Sequence, residues 1–241
     1  MTLAIIGGTG FDEFESLEEN QTHEVNTTWG KPSDRIEEGI LGNKRILFLR
    51  RHGKKFKFPP HLINYRANIA ALHKLGASSI IATAAVGGIG IDVGKIVLPD
   101  QIVDYTYGRD STFFEGGDAS LKHIDFSYPY DRKIREKLIS AATAKSITLI
   151  DSGTYGITQG PRLETAAEIR KLRNDGCHIV GMTGMPEACL AKEMGIPYAT
   201  MAIVVNPAAG LGKGEILLSD MGKILSQGCK ICVEILKTVE L

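Results

Sequence analysis

Gly181–Gly210 reads GMTGMPEACLAKEMGIPYATMAIVVNPAAG. A Met-Thr-Gly-Met-Pro-Glu turn opens a helix-forming run, Pro186 to Met194. An apolar strand follows, Tyr198–Val205, and ends on a single amide, Asn206. An apolar run of that length suits a strand covered on both faces, and a strand that follows a helix is one unit of an α/β layer. A buried strand that stops at a bare amide marks a recognition point at the sheet's edge.

The same alternation extends outward in both directions. The pattern predicts strands over Thr2–Ile6, Arg45–Leu49, Ser79–Ala84, Gly94–Val103, Ser152–Thr158, Ile179–Met182 and Tyr198–Val205. It predicts helices over Asn64–Leu75, Tyr130–Lys145, Thr165–Asp175, Pro186–Met194 and Met221–Leu236. The expected fold is α/β: a single domain over residues 1–241 with a mixed, mostly parallel central sheet flanked by helices. Residues Tyr107–Pro129 are polar, aromatic and irregular. A connection of that length in a compact domain tends to serve a site or an interface.

Composition narrows the function. The chain has 241 residues, 43% of them apolar, with 28 basic side chains balancing 28 acidic ones. That neutrality argues against a nucleic-acid or anionic-membrane partner, which calls for a basic face. Thr2–Ile6 is too short for a signal-peptide core, and no apolar run approaches a membrane span, so the expected compartment is the cytoplasm. Cys229 and Cys232 form a C-x-x-C, but their neighbours repeat with helical spacing and no second ligand pair lies nearby. They read as core thiols in a reducing compartment, with no metal site implied.

Two Gly-rich turns follow strands: Gly7-Gly8-Thr9-Gly10, and Ala84-Ala85-Val86-Gly87-Gly88-Ile89-Gly90. Either could bring backbone N–H groups close to an anion, or could be a tight turn with no ligand. A dinucleotide fingerprint fails, because Phe11-Asp12-Glu13 follows Gly10 where a third glycine belongs, and the next strand ends in Arg50-Arg51 with no acidic residue. The P-loop pattern is absent as well. Arg51-His52-Gly53 puts a guanidinium beside an imidazole, which suits a phosphate, although Lys54, Lys55 and Lys57 also fit a solvated basic patch. His61 and His73 carry weaker signals.

Taken jointly, Gly7-Gly8-Thr9-Gly10, Arg51-His52-Gly53, Pro60–Asn68 (PHLINYRAN), Gln159–Thr165 (QGPRLET) and Met182–Glu187 (MTGMPE) resemble, in order, the trimeric purine nucleoside phosphorylase and methylthioadenosine phosphorylase family. The resemblance runs from the first strand to the last helix, and it is closest to the branch acting on 5′-methylthioinosine. It implies a nucleoside phosphorylase-like fold and phosphorolysis: inorganic phosphate attacks C1′ of a purine nucleoside and displaces the base. Such a reaction needs an anion held under C1′ and stabilisation of negative charge on the departing purine. It implies no metal and no organic cofactor, phosphate being a co-substrate.

Residue by residue, the resemblance implies that Thr9, Arg51 and His52 hold phosphate, with Ala84, Ala85 and Thr183 closing that site. Met182 would cover the ribose, and Leu163 and Ala208 would border the substrate. His123 matches a position that reaches into a neighbouring subunit's site, which would make a homotrimer part of the catalytic unit. The adenine-specific relatives carry Asp where this chain has Asn206, and lack a Glu at Glu164. Asn206 can donate toward O6 or N7 of a 6-oxopurine, and Glu164 can accept from its N1–H. The other reading of Glu164 is a carboxylate complementing a helix dipole. At the sugar's 5′ end, Leu218 stands where the inosine and guanosine enzymes place a histidine, and apolar lining there would favour a methylthio group.

Overall fold

The computed structural model describes residues 2–11, 17–117, 123–213 and 218–240, with the side chains at 19, 20 and 218–220 outside that description. Among them the strands are β1 (Thr2–Gly7), β2 (Glu18–His23), β3 (Ile36–Leu41), β4 (Lys44–Arg50), β5 (Ser79–Gly88), β6 (Ile96–Val97), β7 (Gln101–Asp104), β8 (Thr154–Ile157), β9 (Ile179–Gly181) and β10 (Tyr198–Pro207). The helices are α1 (Tyr65–Lys74), α2 (Arg132–Ala144), α3 (Ala166–Asn174), α4 (Glu187–Glu193) and α5 (Leu218–Thr238). All the strands join one sheet, in which β4, β1, β5 and β10 lie side by side and parallel. The single-domain α/β expectation holds.

Strand alternation sorts the core onto two faces. Leu3, Ile5, Ile46, Phe48, Ile81, Met201 and Ile203 pack with α2 and α5. Ala4, Ile6, Leu47, Leu49, Ile80, Ala82, Ala202 and Val204 pack with α1 and α4. Both faces of the central strands are therefore covered, which accounts for their unbroken apolar runs. Cys229 and Cys232 are buried in the first of these faces, with α2 and α5, as core thiols. Side chains set the helix starts: Asn64 accepts from Ala67 N, and Asp131 from Ile134 N. Thr165 and Glu168 form a reciprocal capping box.

Three departures from the sequence pattern have physical causes. The expected strand Gly94–Val103 is two short strands, β6 and β7, because Pro99 between them cannot donate to a ladder. The β2–β3 pair carries no apolar alternation. Its carboxylates are matched instead: Glu37 accepts from Arg50 at 2.7 and 3.0 Å, and Glu38 from Arg45 at 2.6 and 2.9 Å. Helix α3 begins at Ala166, one residue after the predicted start, because Thr165 serves as its N-cap, and Glu164 precedes both.

One feature of the sheet positions the site. β10 pairs along one edge of β5 from Ile80 to Gly88. On the other edge, β1 covers only Ser79–Ala82, and β9 pairs antiparallel with Gly87 and Gly88. Between those two partners, Thr83–Val86 have no strand beside them on that edge among the described residues. A change of strand partner of this kind opens a crevice at strand ends, where α/β sheets commonly bind ligands.

Candidate active site

Above that gap lies a cavity of about 250 Å³. The ends of β1, β4, β5, β9 and β10 bring to it Thr9, Arg51, His52, Ala84, Ala85, Met182, Thr183, Asn206 and Ala208, and the loop after β8 adds Leu163 and Glu164. Residues far apart in sequence thus meet in one place. Two candidates are not among these. His123 is exposed and does not line the cavity of a single chain, and Leu218 begins α5 with its side chain outside the described residues.

The phosphate-side cation differs from the sequence expectation. Arg51 is 1% exposed and does not present an open fork. Its Nε and Nη2 donate to Glu187 at 2.7 and 2.8 Å, and its Nη1 donates to the Thr83 carbonyl at 2.8 Å. Glu187 is fully buried and also accepts from the Tyr198 hydroxyl at 2.8 Å. Burial works against the Arg51 charge, yet the adjacent carboxylate holds the guanidinium above its ordinary range. The pair is neutral as a unit, so Arg51 can offer an anion only the N–H groups that Glu187 and Thr83 leave over.

The Gly-rich turn is likewise partly committed. Gly8 N donates to the Thr83 hydroxyl at 3.0 Å, so that amide braces the turn against β5 and is not directed at a ligand. A side chain at Gly8 would lie 2.5 Å from the Thr83 carbonyl and 2.8 Å from Arg51 Nη1, so glycine is required there by close approach.

His52 shares its Nδ1 with the Phe58 carbonyl at 2.9 Å, and its ring stacks on Phe56 at 4.6 Å. With Nδ1–H donating, Nε2 is the nitrogen left for a ligand. Burial, then the Arg51 charge, push its pKa from the ordinary 6.5 down to about 4. Phe56 lies in a turn where Gly53, Lys55 and Phe56 all have left-handed backbone, with φ of 71°, 59° and 54°. Two non-glycine residues in that region signal a shape imposed by the surroundings.

At the other candidate group, Thr158 Oγ1 donates to Glu164 Oε1 at 2.5 Å and Thr158 N donates to the Gly181 carbonyl at 2.8 Å. Glu164 is thereby oriented from the end of β8. Its alternative role at a helix start is taken by Glu168, which closes the capping box of α3. Asn206 is half-buried, just past a register irregularity between Val204 and Asn206, and its amide donates to the Pro207 carbonyl at 2.6 Å. Such an irregularity re-aims a side chain at a strand's end.

The phosphorylase superfamily profile matches residues 2–239. The chain belongs to that superfamily. It is 51% identical over 228 residues, covering 94% of this chain and 90% of the other, to a probable S-methyl-5′-thioinosine phosphorylase of Xanthomonas campestris pv. campestris. It is 42% identical over 242 residues, 97% and 90% of the two chains, to a 6-oxopurine nucleoside phosphorylase of Pyrococcus furiosus. The methylthioadenosine phosphorylase of Schistosoma mansoni, solved with adenine, superposes with a TM-score of 0.93 at 33% identity, over 99% of this chain and 90% of that one.

For this phosphorylase, the state of His52 yields a prediction. Its folded pKa lies below its unfolded one, so the unfolded chain takes up the proton first. The stability tied to neutral His52 is complete above about pH 6.5 and is lost as pH falls toward 4, by up to about 3 kcal/mol. Urea midpoints at about pH 7 and about pH 5 should converge in His52→Gln compared with the native phosphorylase. Equal pH dependence in the two proteins would show that His52 is not held neutral.

Sequence reasoning quoted Glu187 within its motif but gave it no role. The available signal was a carboxylate opening the otherwise apolar start of a short helix. Thr83, Thr158 and Phe56 carried no signal, because each acts through a contact made only by the fold. Among the described residues of this phosphorylase, no group of three or more His, Cys, Asp or Glu is placed to hold a metal, and no helix is long and apolar enough to cross a membrane.

Proposed function

We propose that the chain catalyses phosphorolysis of 5′-methylthioinosine to hypoxanthine and 5-methylthioribose 1-phosphate. The observation that carries this reading is that Glu164 and Asn206, a pair suited to a 6-oxopurine, share one cavity with Thr9, His52 and Thr183, groups suited to phosphate. In the reaction a phosphate oxygen bonds to C1′ as the bond to the purine nitrogen breaks. The electron pair leaves with the purine, and the proton that phosphate gives up ends on the base. Thr9 and Thr183 hydroxyls, His52 Nε2 and the remaining Arg51 N–H groups would position phosphate on the Ala84–Ala85 floor. Glu164 would accept from the base N1–H, and Asn206 would donate to the purine as charge develops on it. Met182, Leu163 and Ala208 would pack on sugar and base. No cofactor is called for.

The similarity to methylthioinosine phosphorylases supports the substrate, as does the apolar lining from Phe56, Val205 and Met221, which suits a thioether better than a hydroxyl. The second reading is an inosine and guanosine phosphorylase, favoured by the Pyrococcus relative. We further propose a homotrimer in the cytoplasm, with His123 of one copy entering the next copy's cavity. The exposed position of His123 and the buried, unbridged thiols suit this arrangement.

The test is base release from methylthioinosine, inosine and methylthioadenosine, with and without phosphate. The expected result is phosphate-dependent hypoxanthine, fastest from methylthioinosine. Preference for inosine overturns the apolar 5′ end, and no release from any substrate overturns the enzyme.

A further inference from the structure

Arg109 belongs to the irregular segment after β7, and its guanidinium is spread across two turns that carry site residues. Nη1 donates to the carbonyls of Met182 at 2.9 Å and Met185 at 2.5 Å. Nη2 donates to the Gln159 carbonyl at 2.7 Å, and Nε to the Gln159 side chain at 3.1 Å. The guanidinium also lies over the Tyr65 ring, 5.5 Å from its centre. One cation thus holds the turn with Met182 and Thr183 and, on the other side, the segment from Thr158 that orients Glu164. The two turns are closely apposed: a side chain at Gly160 would come within 2.5 Å of the Met182 sulfur.

Resting on the phosphorolysis reading, we propose that Arg109 is a positioning residue that fixes the spacing between the base-recognising carboxylate and the sugar and phosphate turn. It touches no substrate in this role. Its planar fork of donors can face carbonyls on both sides at once, which a lysine cannot do. The geometry matters because reacting groups misplaced by about 1 Å can lose about 10²-fold in rate.

Three variants of the full chain test this: Arg109→Ala, Arg109→Lys and Arg66→Ala. Arg66 ties the same segment through Asp110 and Glu115 but contacts neither turn. With methylthioinosine and phosphate, Arg109→Ala should lose about 10²-fold in kcat with far smaller changes in both KM values. Millimolar guanidinium should restore part of that loss, which a merely structural role would not allow. Arg109→Lys should lose about tenfold, and it decides the matter if the alanine variant fails to fold. Arg66→Ala should stay within a few-fold of native. Native kcat in Arg109→Lys, or an equal loss in Arg66→Ala, overturns the proposal. Hydrogen exchange without substrate tests it apart from the activity. Exchange should rise in both 158–164 and 182–185 on loss of the Arg109 side chain, and in neither on loss of Arg66. Unchanged exchange overturns the positioning role even if the enzyme is active as proposed.

Discussion

Glu187→Ala is expected to cost about 3–5 kcal/mol of folding stability, the usual effect of stranding one member of a buried ion pair. Arg51 is 1% exposed and could not recover by rehydration, and the Tyr198 hydroxyl would lose its acceptor at the same time. The double variant Arg51→Met/Glu187→Leu should regain most of that loss, since replacing both charges by apolar groups removes their desolvation along with their attraction. It should nonetheless fail in catalysis, because the remaining Arg51 N–H groups and the brace on the Thr83 carbonyl disappear together. Urea unfolding of the single and double variants measures the first part, and phosphate-dependent turnover the second. A loss below about 1 kcal/mol in Glu187→Ala would mean that the carboxylate is not the counter-charge of Arg51.

Asn206→Asp should move base preference toward 6-aminopurines. The amide offers an N–H to the oxygen or ring nitrogen of a 6-oxopurine, whereas a carboxyl group can serve an amino donor and, when protonated, a bare ring nitrogen. A site built around a hydrogen bond discriminates strongly when the partner is mismatched. The ratio of kcat/KM for methylthioadenosine over methylthioinosine should therefore rise by about 10²-fold or more. Glu164→Leu should compound the change by removing the acceptor for N1–H. Competition between the two nucleosides in one reaction gives the ratio directly. An unaltered ratio would place base reading on other residues.

How much could be read in advance depended on the range of the interactions. Apolar periodicity located the central strands and the main helices, because coverage on both faces writes itself into consecutive residues. It missed β2 and β3, where Glu37 and Glu38 are matched by Arg50 and Arg45 across the sheet and no alternation is needed. Candidates carried by a spaced motif come together in space: Thr9, Arg51, His52, Glu164, Met182 and Thr183 all line one cavity. What those groups are bonded to was not legible. That Glu187 occupies the Arg51 fork, that Phe58 sets the free nitrogen of His52, and that Arg109 links two turns are contacts between residues 6 to 136 positions apart. No local pattern encodes pairings of that kind.

The interrupted edge of β5 also decides which parts of the site can move. Thr83–Val86 belong to a strand held by β1, β9 and β10. Separating the floor from those partners amounts to unfolding the domain, so it cannot open as a local fluctuation. Any rearrangement around the cavity therefore falls to its rim, where the turn bearing Phe56 has left-handed backbone. A stiff base keeps the geometry of the cavity floor constant through each turnover.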